Sequence, residues 1–321
     1  MKSQKEIYAK FVNTCGTYIP IYSQPWWLDA VCGEEGWDVW LSVSGGTIRA
    51  AMPYHYEKRG NYNYITKAPL TQNNGIIFCY PETSSYVTRQ SIRERIINEA
   101  CDYIESMKID VYEQQFHHSF DNYLPFFWRG YMAIPRYSYT IYTDDCSEEQ
   151  IWNNVSSKQK SIIKKGQRNG FYSEDIDSIE FYREHEKIYK KQGLECPFSL
   201  NLWLRLYDSC VKNGSGKIVC YKDLESNIAS LAFIVWDSRS VYLLMGGGIP
   251  EYQRLDTYAA LLWKCICFAR EIGKSFDFEG SMIKRISKAF AEYGGIPMEY
   301  YRIRKVFNKD IALMEIEREY N

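Results

Sequence analysis

The chain has no apolar run long enough to span a bilayer. Its opening stretch, MKSQKEIYAKFVNT, carries no signal-peptide core. The expectation is therefore a protein with no membrane span that stays in the cytoplasm. Net charge is lacking too. Thirty-nine Lys and Arg against 40 Asp and Glu leave −1, so no overall field draws the chain to nucleic acid or an anionic membrane. Any polyanion site has to be a local patch. No Cys-x-x-Cys pair occurs among the ten cysteines. Cys265 and Cys267 lie two apart in an expected helix, on different faces, which argues for reduced, buried thiols and against a metal site. Histidine is scarce, with four in all. The one adjacent pair, His117-His118, would point opposite ways in a strand, so no metal is expected. No G-x-S-x-G nucleophile elbow is present. NGSGKI (213–218) lacks the first glycine of a P-loop and a Ser or Thr after Lys217, and reads as a hairpin turn.

What is there fits a folded α/β chain. Its 321 residues are long for one core and comfortable for two, with 45% apolar and 25% charged residues. Tyrosine stands out at 28. Its apolar body and polar tip suit grooves for sugars, peptides or acyl chains. QPWWLDAV (24–31) could line such a groove but reads first as core.

The second half is the more legible. Ser147 and Gln150 make a capping-box pattern ahead of IWNNV. SSKQKSIIKKGQRNG reads as a basic helix, with Gly166 and Gly170 as stop signals. Helical patterns follow over 178–191 and 199–212. KIVCYKD, IASLAFIVWD and VYLLMGGG are strands with short connections, an antiparallel meander. Asp256 or Thr257 caps the helix YAALLWKCICFAREIG, which Gly273 ends. SFDFEGS is a strand, MIKRISKAFAEYGG a helix and MEYYRIRK a closing strand. The first half repeats this order. VWLSVSGGTIRAAMPYHYEK is a hairpin, and helix, strand, helix and strand follow it. CDYIESMKIDVYEQ and CFAREIGKSFDFEG look like two copies of one helix-to-strand joint. The reading is α/β, with two tandem domains over 1–145 and 146–321, each a mixed sheet flanked by helices.

This order resembles the GNAT acyltransferase fold, and its tandem form resembles the Fem-type family that includes the methicillin-resistance peptidyltransferases. The resemblance rests on SSKQKSIIKKGQRNG, YLLMGGG, YAALLWKCICFAREIG and FDFEGS…FAEYGG…YYRIRK, in that order and spacing. It implies transfer of an acyl or aminoacyl group from an activated donor, a thioester such as acyl-CoA or a charged tRNA, to an amine of a cell-envelope precursor such as peptidoglycan. Two features depart from the pattern. The helical arm that serves tRNA is not legible between the basic helix and the meander. The loop GGGIPEYQRLDTYAA has Gln253 and Arg254 but no glycine before the helix, and Asp256 stands where a CoA pyrophosphate would be repelled. Gly246, Gly247 and Gly248 still allow close backbone approach.

Acyl transfer to an amine needs a proton acceptor, donors for the carbonyl oxygen, and reactants held in contact. In SFDFEGS, alternation puts Phe276 and Phe278 on one face and Asp277 and Glu279 on the other. A polar face on a central strand suggests a cleft, with Glu279 or Asp277 as base and Tyr242 or Tyr252 as proton carriers or contacts. A salt-bridged face is the plainer alternative. Lys158, Lys160, Lys164, Lys165 and Arg168 form a basic cluster suited to the phosphates of a nucleotide-linked or lipid-linked acceptor, and the acceptor itself is expected in an interdomain cleft. An ordinary solvated face competes with that reading, as do a non-catalytic ligand-binding module and an RNA-binding protein for the chain as a whole.

Overall fold

The structure is a computed structural model and describes residues 3–79 and 85–320. Its elements run α1 (Gln4–Thr14), α2 (Pro25–Cys32), β1 (Trp37–Ser44), β2 (Thr47–Arg59), β3 (Tyr62–Thr66), β4 (Ile77–Phe78), α3 (Tyr86–Ser106), β5 (Val111–Gln115), α4 (Leu124–Trp128) and β6 (Met132–Ile141). They continue with α5 (Glu148–Asn154), α6 (Ser157–Arg168), β7 (Gly170–Ser173), α7 (Ser178–Lys191), α8 (Leu200–Lys212), β8 (Gly216–Asp223), β9 (Ile228–Trp236) and β10 (Ser240–Gly248). After a 3-10 turn over Pro250–Leu255 come α9 (Thr257–Glu271), β11 (Ser275–Asp277), α10 (Lys284–Glu292), β12 (Ile296–Val306) and α11 (Lys309–Tyr320).

The chain folds as two compact units, Met1–Arg136 with Glu299–Asn321, and Tyr137–Met298. A single cut at 145/146 was the sequence expectation; the contacts cut twice. The reason lies in the closing strands. β12, which follows the second α/β copy in sequence, pairs with β5, from Arg302↔Gln115 to Val306↔Val111. The end of β6, which follows the first copy, pairs with β11 through Thr140↔Asp277 and Ile141↔Phe276.

In the first unit the strands run β1-β2-β3-β5-β12, with β4 on β2. Only β3 and β5 are parallel in that run. α3 buries one stripe, Ile96, Ile97, Ala100, Cys101 and Ile104, at helical spacing. That stripe packs with Tyr112, Phe116, Phe126, Tyr131 and Ile303 in one core. Trp27 and Leu28 of α2 are fully buried, so QPWWLDAV is core. His117 and His118 follow β5 instead of lying in it, and their rings meet at 4.0 Å.

The second unit holds the expected meander β8-β9-β10, antiparallel throughout, with β7 on β8 and β11 parallel to β10. Asp223 and Asp237 shape its turns by accepting N–H bonds from Asn227 at 2.8 Å and Arg239 at 2.8 Å. The Ser147 capping box closes as expected. α9 lies on the sheet with nine buried residues, Cys265 and Cys267 among them. Gly166 does not stop α6, which runs on to Arg168. It is the point where α6 meets the start of α9: a Cβ there would lie 2.4 Å from the Asp256 carbonyl oxygen.

Candidate active site

β10 keeps β9 as a neighbour along its whole length, to Gly248↔Ser230. Its other edge is paired only at the start, through Ser240↔Ser275, Val241↔Phe276 and Tyr242↔Asp277. From Leu243 to Gly248 that edge has no strand partner among the described residues, so the two parallel strands part after Tyr242. A row of backbone N–H and C=O groups is thereby presented to whatever occupies the gap. At the point of parting β10 bulges: Leu243 pairs with Ile234 and Met245 with Phe233, so Leu244 is the extra residue. The three glycines finish the strand. A Cβ on Gly246 would meet the Leu231 carbonyl at 2.7 Å, and one on Gly247 would meet Ile188 of α7 at 2.8 Å. Gly248 has only Tyr258 nearby, at 3.6 Å.

The expected alternation of Asp277 and Glu279 on one strand face is corrected here. β11 ends at Asp277. Phe278 still donates to the Tyr139 carbonyl at 2.9 Å, but Glu279 takes φ +61° and leaves the strand. Asp277 makes that turn. Its buried carboxylate accepts from the Ser138 hydroxyl, from Thr140 at 3.3 Å and from the Glu279 N–H at 2.7 Å. Burial raises its pKa, and the Ser138, Glu279 and Thr140 donors oppose that rise. Gly280, at φ +71°, completes the turn where a Cβ would lie 2.1 Å from the Tyr137 carbonyl. Two residues placed side by side by the sequence reading thus have different tasks. Asp277 fixes the backbone, and Glu279 is held past the end of β11. The Glu279 side chain is half-buried with Oε1 enclosed, and burial pushes its carboxyl well above the usual range.

Tyr242 sits at the closed end of the gap, and its hydroxyl donates to Asp237 at 2.9 Å, bracing the β9–β10 turn. Beyond the open end, the 3-10 turn carries Tyr252, Gln253 and Arg254. The Gln253 side chain accepts from Lys191 of α7 at 2.9 Å. Arg254 offers its carbonyl to Lys165 at 2.8 Å. Asp256 is the N-cap of α9 in the left-handed conformation, φ 59°, and its side chain does not cap the helix. Instead the carboxylate pairs with Lys165 at 2.7 Å. The charge that would repel a phosphate at the α9 N-terminus is therefore matched by a lysine of α6, while the first N–H groups of α9 keep no side-chain cap.

The remaining cations of α6 divide. Lys158 stands 3.9 Å from Glu292 and is largely exposed, a weak pair. Lys160 and Lys164 lie over the Trp152 ring at 5.8 and 5.9 Å. Arg168 is exposed. Only Lys165 reaches the loop before α9. Sequence reasoning missed the bulge at Leu244 and the Lys165–Asp256 pair. The first is a property of pairing that residue type barely signals, and the second joins residues 91 apart in sequence.

Residues 153–281 match the Acetyltransferase (GNAT) domain family. No curated protein matches the sequence. Among solved structures, FemX is similar at TM-score 0.69 and 11% identity, with 98% of each chain covered. The C-terminal domain of a protein assigned as a lysylphosphatidylglycerol synthetase from Agrobacterium fabrum is similar at 0.58 and 9%, covering 98% of this chain and 96% of that one. A tandem GNAT protein from the clavulanic acid biosynthesis pathway is similar at 0.54 and 8%, covering 94% and 93%. The parted strands β10 and β11, the bulge and the uncapped helix all lie within or beside the matched residues. The chain has the tandem GNAT fold seen in FemX and the other solved structures named here, and residues 153–281 match the GNAT acetyltransferase domain family.

Proposed function

We propose that the protein is an N-acyltransferase whose activated donor lies in the gap between β10 and β11 and whose acceptor amine is deprotonated beside Glu279. The carrying observation is the parting of β10 from β11 at Tyr242 with the bulge at Leu244. An extended acyl-thioester arm can hydrogen-bond along Leu243–Gly248 as an added strand would. N–H groups turned out by the bulge are suited to an oxygen that gains charge as the amine attacks. The C–N bond forms as the C–S bond of the thioester breaks. The amine proton goes to the Glu279 carboxylate, and the thiolate leaves and takes a proton from solvent. Glu279 suits this task because burial raises its pKa toward that of an amine, which narrows the mismatch in the proton transfer. A cationic amine entering beside it favours its ionised form.

Acyl-CoA is the favoured donor class, its phosphates meeting the α9 N-terminus where Lys165 neutralises Asp256. Gln253 and Arg254 flank that position, and Lys158, Lys164, Arg168 and Tyr252 are candidates for acceptor contacts. Charged tRNA is the alternative donor, since β7 and α7 fill the interval between α6 and α8 where an inserted arm would stand. A cell-envelope acceptor rests on the likeness to FemX and to the lysylphosphatidylglycerol synthetase domain.

The test is thermal stabilisation by acetyl-CoA, longer acyl-CoAs, acyl carrier protein thioesters and charged tRNA, followed by amine-dependent thiol release. One donor class is expected to stabilise the protein. Glu279→Gln is expected to lower kcat by about 100-fold or more while leaving that stabilisation in place. Stabilisation without turnover on any amine points to a ligand-binding module, and no response to any donor sinks the donor-site assignment.

A further inference from the structure

A second concentration of charge lies in the first unit, where β2, β3, β5 and β12 pair. The register β2/β3/β5/β12 puts Glu57 opposite Tyr64, and Arg302 and Arg304 opposite Gln115 and Glu113. These side chains share one face because residues paired across strands, or two apart along them, point the same way. Lys67 follows β3 directly, and Arg136 is on β6. Arg59, Lys67, Arg136, Arg302 and Arg304 gather there around three carboxylates, those of Glu57, Glu113 and Glu315. Two positive charges are left over.

The excess is not spread evenly. Arg59 is matched by Glu57 at 2.8 Å. Arg304 is matched by Glu113 at 3.1 Å and by Glu315. Among the described residues Arg302 has only the shared Glu113 at 3.5 Å and the Gln115 amide oxygen at 3.2 Å, and its buried Nε has no partner there. Arg136 has a buried Nε with no hydrogen bond. Lys67 is exposed, yet its ammonium is destabilised, first by the protein packed round it and then by Arg302 and Arg136, with Glu113 opposing. Cations that repel one another and leave buried N–H groups unsatisfied cost stability unless something else needs them. Two guanidinium forks and an ammonium with a surplus of about two charges complement a doubly charged tetrahedral oxyanion.

We propose that Lys67, Arg136 and Arg302 form an oxyanion site in the first unit that binds a phosphate ester or pyrophosphate group. The assignment does not depend on acyl transfer by the second unit. Its test is calorimetric titration of the full chain with inorganic pyrophosphate, phosphate and citrate, alongside Arg136→Gln, Arg302→Gln and, at the exposed end of α8, Lys212→Gln. Pyrophosphate is expected to bind most tightly. Arg136→Gln and Arg302→Gln are each expected to weaken it by tenfold or more, while Lys212→Gln leaves it unchanged. Arg136→Gln decides the matter, because its buried Nε makes no hydrogen bond among the described residues, and relief of repulsion should leave the Tm of the ligand-free protein equal or higher. No binding by the wild type, equal binding by Arg136→Gln, or a loss as large in Lys212→Gln overturns the proposal. Preference for citrate over both phosphates replaces a phosphate site with a carboxylate one and overturns the ligand class.

Discussion

His185 shows how much one side chain can set. It is buried on α7 between Phe181 and Phe198, with ring centroids at 5.6 and 6.0 Å, and its Nδ1 has no hydrogen bond. Burial lowers its pKa from 6.5 to about 4. The folded state therefore holds the neutral ring while the unfolded chain takes up a proton near pH 6.5. Its contribution is fully present above that pH and is lost as pH falls toward 4, by on the order of 3 kcal/mol. Urea melts of wild type and His185→Phe between pH 7 and pH 4.5 are expected to diverge, the wild type losing more stability. Parallel curves would mean that the ring is protonated in the fold. Residue type alone singled out Glu279 and Asp277 as candidates but not the different contacts the two make. Alternation assumes a strand that continues, and the strand ends at Asp277, two residues before Glu279.

Elements with strong periodicity or clear caps were legible. α7, α8 and α9, the β8-β9-β10 meander and the Ser147 cap stand where pattern and capping put them. α11 and β7 were not anticipated. α11 has a weak apolar stripe, and β7 is four residues on a sheet edge, so neither carries enough periodic signal. The glycines of β10 were read as freedom for a ligand, whereas two of them answer to packing. Gly246→Ala would push a Cβ into the β9 backbone and is expected to cost about 1–3 kcal/mol in a denaturant melt. Gly248→Ala, with its nearest contact at 3.6 Å, is expected to change stability by less than about 0.5 kcal/mol. Equal costs would show that β10 does not lie against β9 as described.

At the scale of the whole chain, the tandem plan was readable from repeated element order, but the pairing of the closing strands was not. Nothing local in YYRIRK says which strand it will join. Its residues complete the first unit, with Ile303 fully buried in that core and Arg302 to Val306 paired along β5. A chain ending at Met298 is expected to keep the second unit's melting transition and lose the first. Circular dichroism melts would show this, and two intact transitions would contradict the division.

That arrangement also reverses the usual order of assembly on the ribosome. The second unit has all its residues once Met298 has emerged, while the first still lacks its last strand. At about 5–20 residues per second, synthesis of the intervening segment leaves the unfinished β5 edge waiting for roughly ten to thirty seconds. A nascent chain of this protein thus carries an unpaired β5 edge through that interval, and its first unit becomes native only after Arg302–Val306 has emerged.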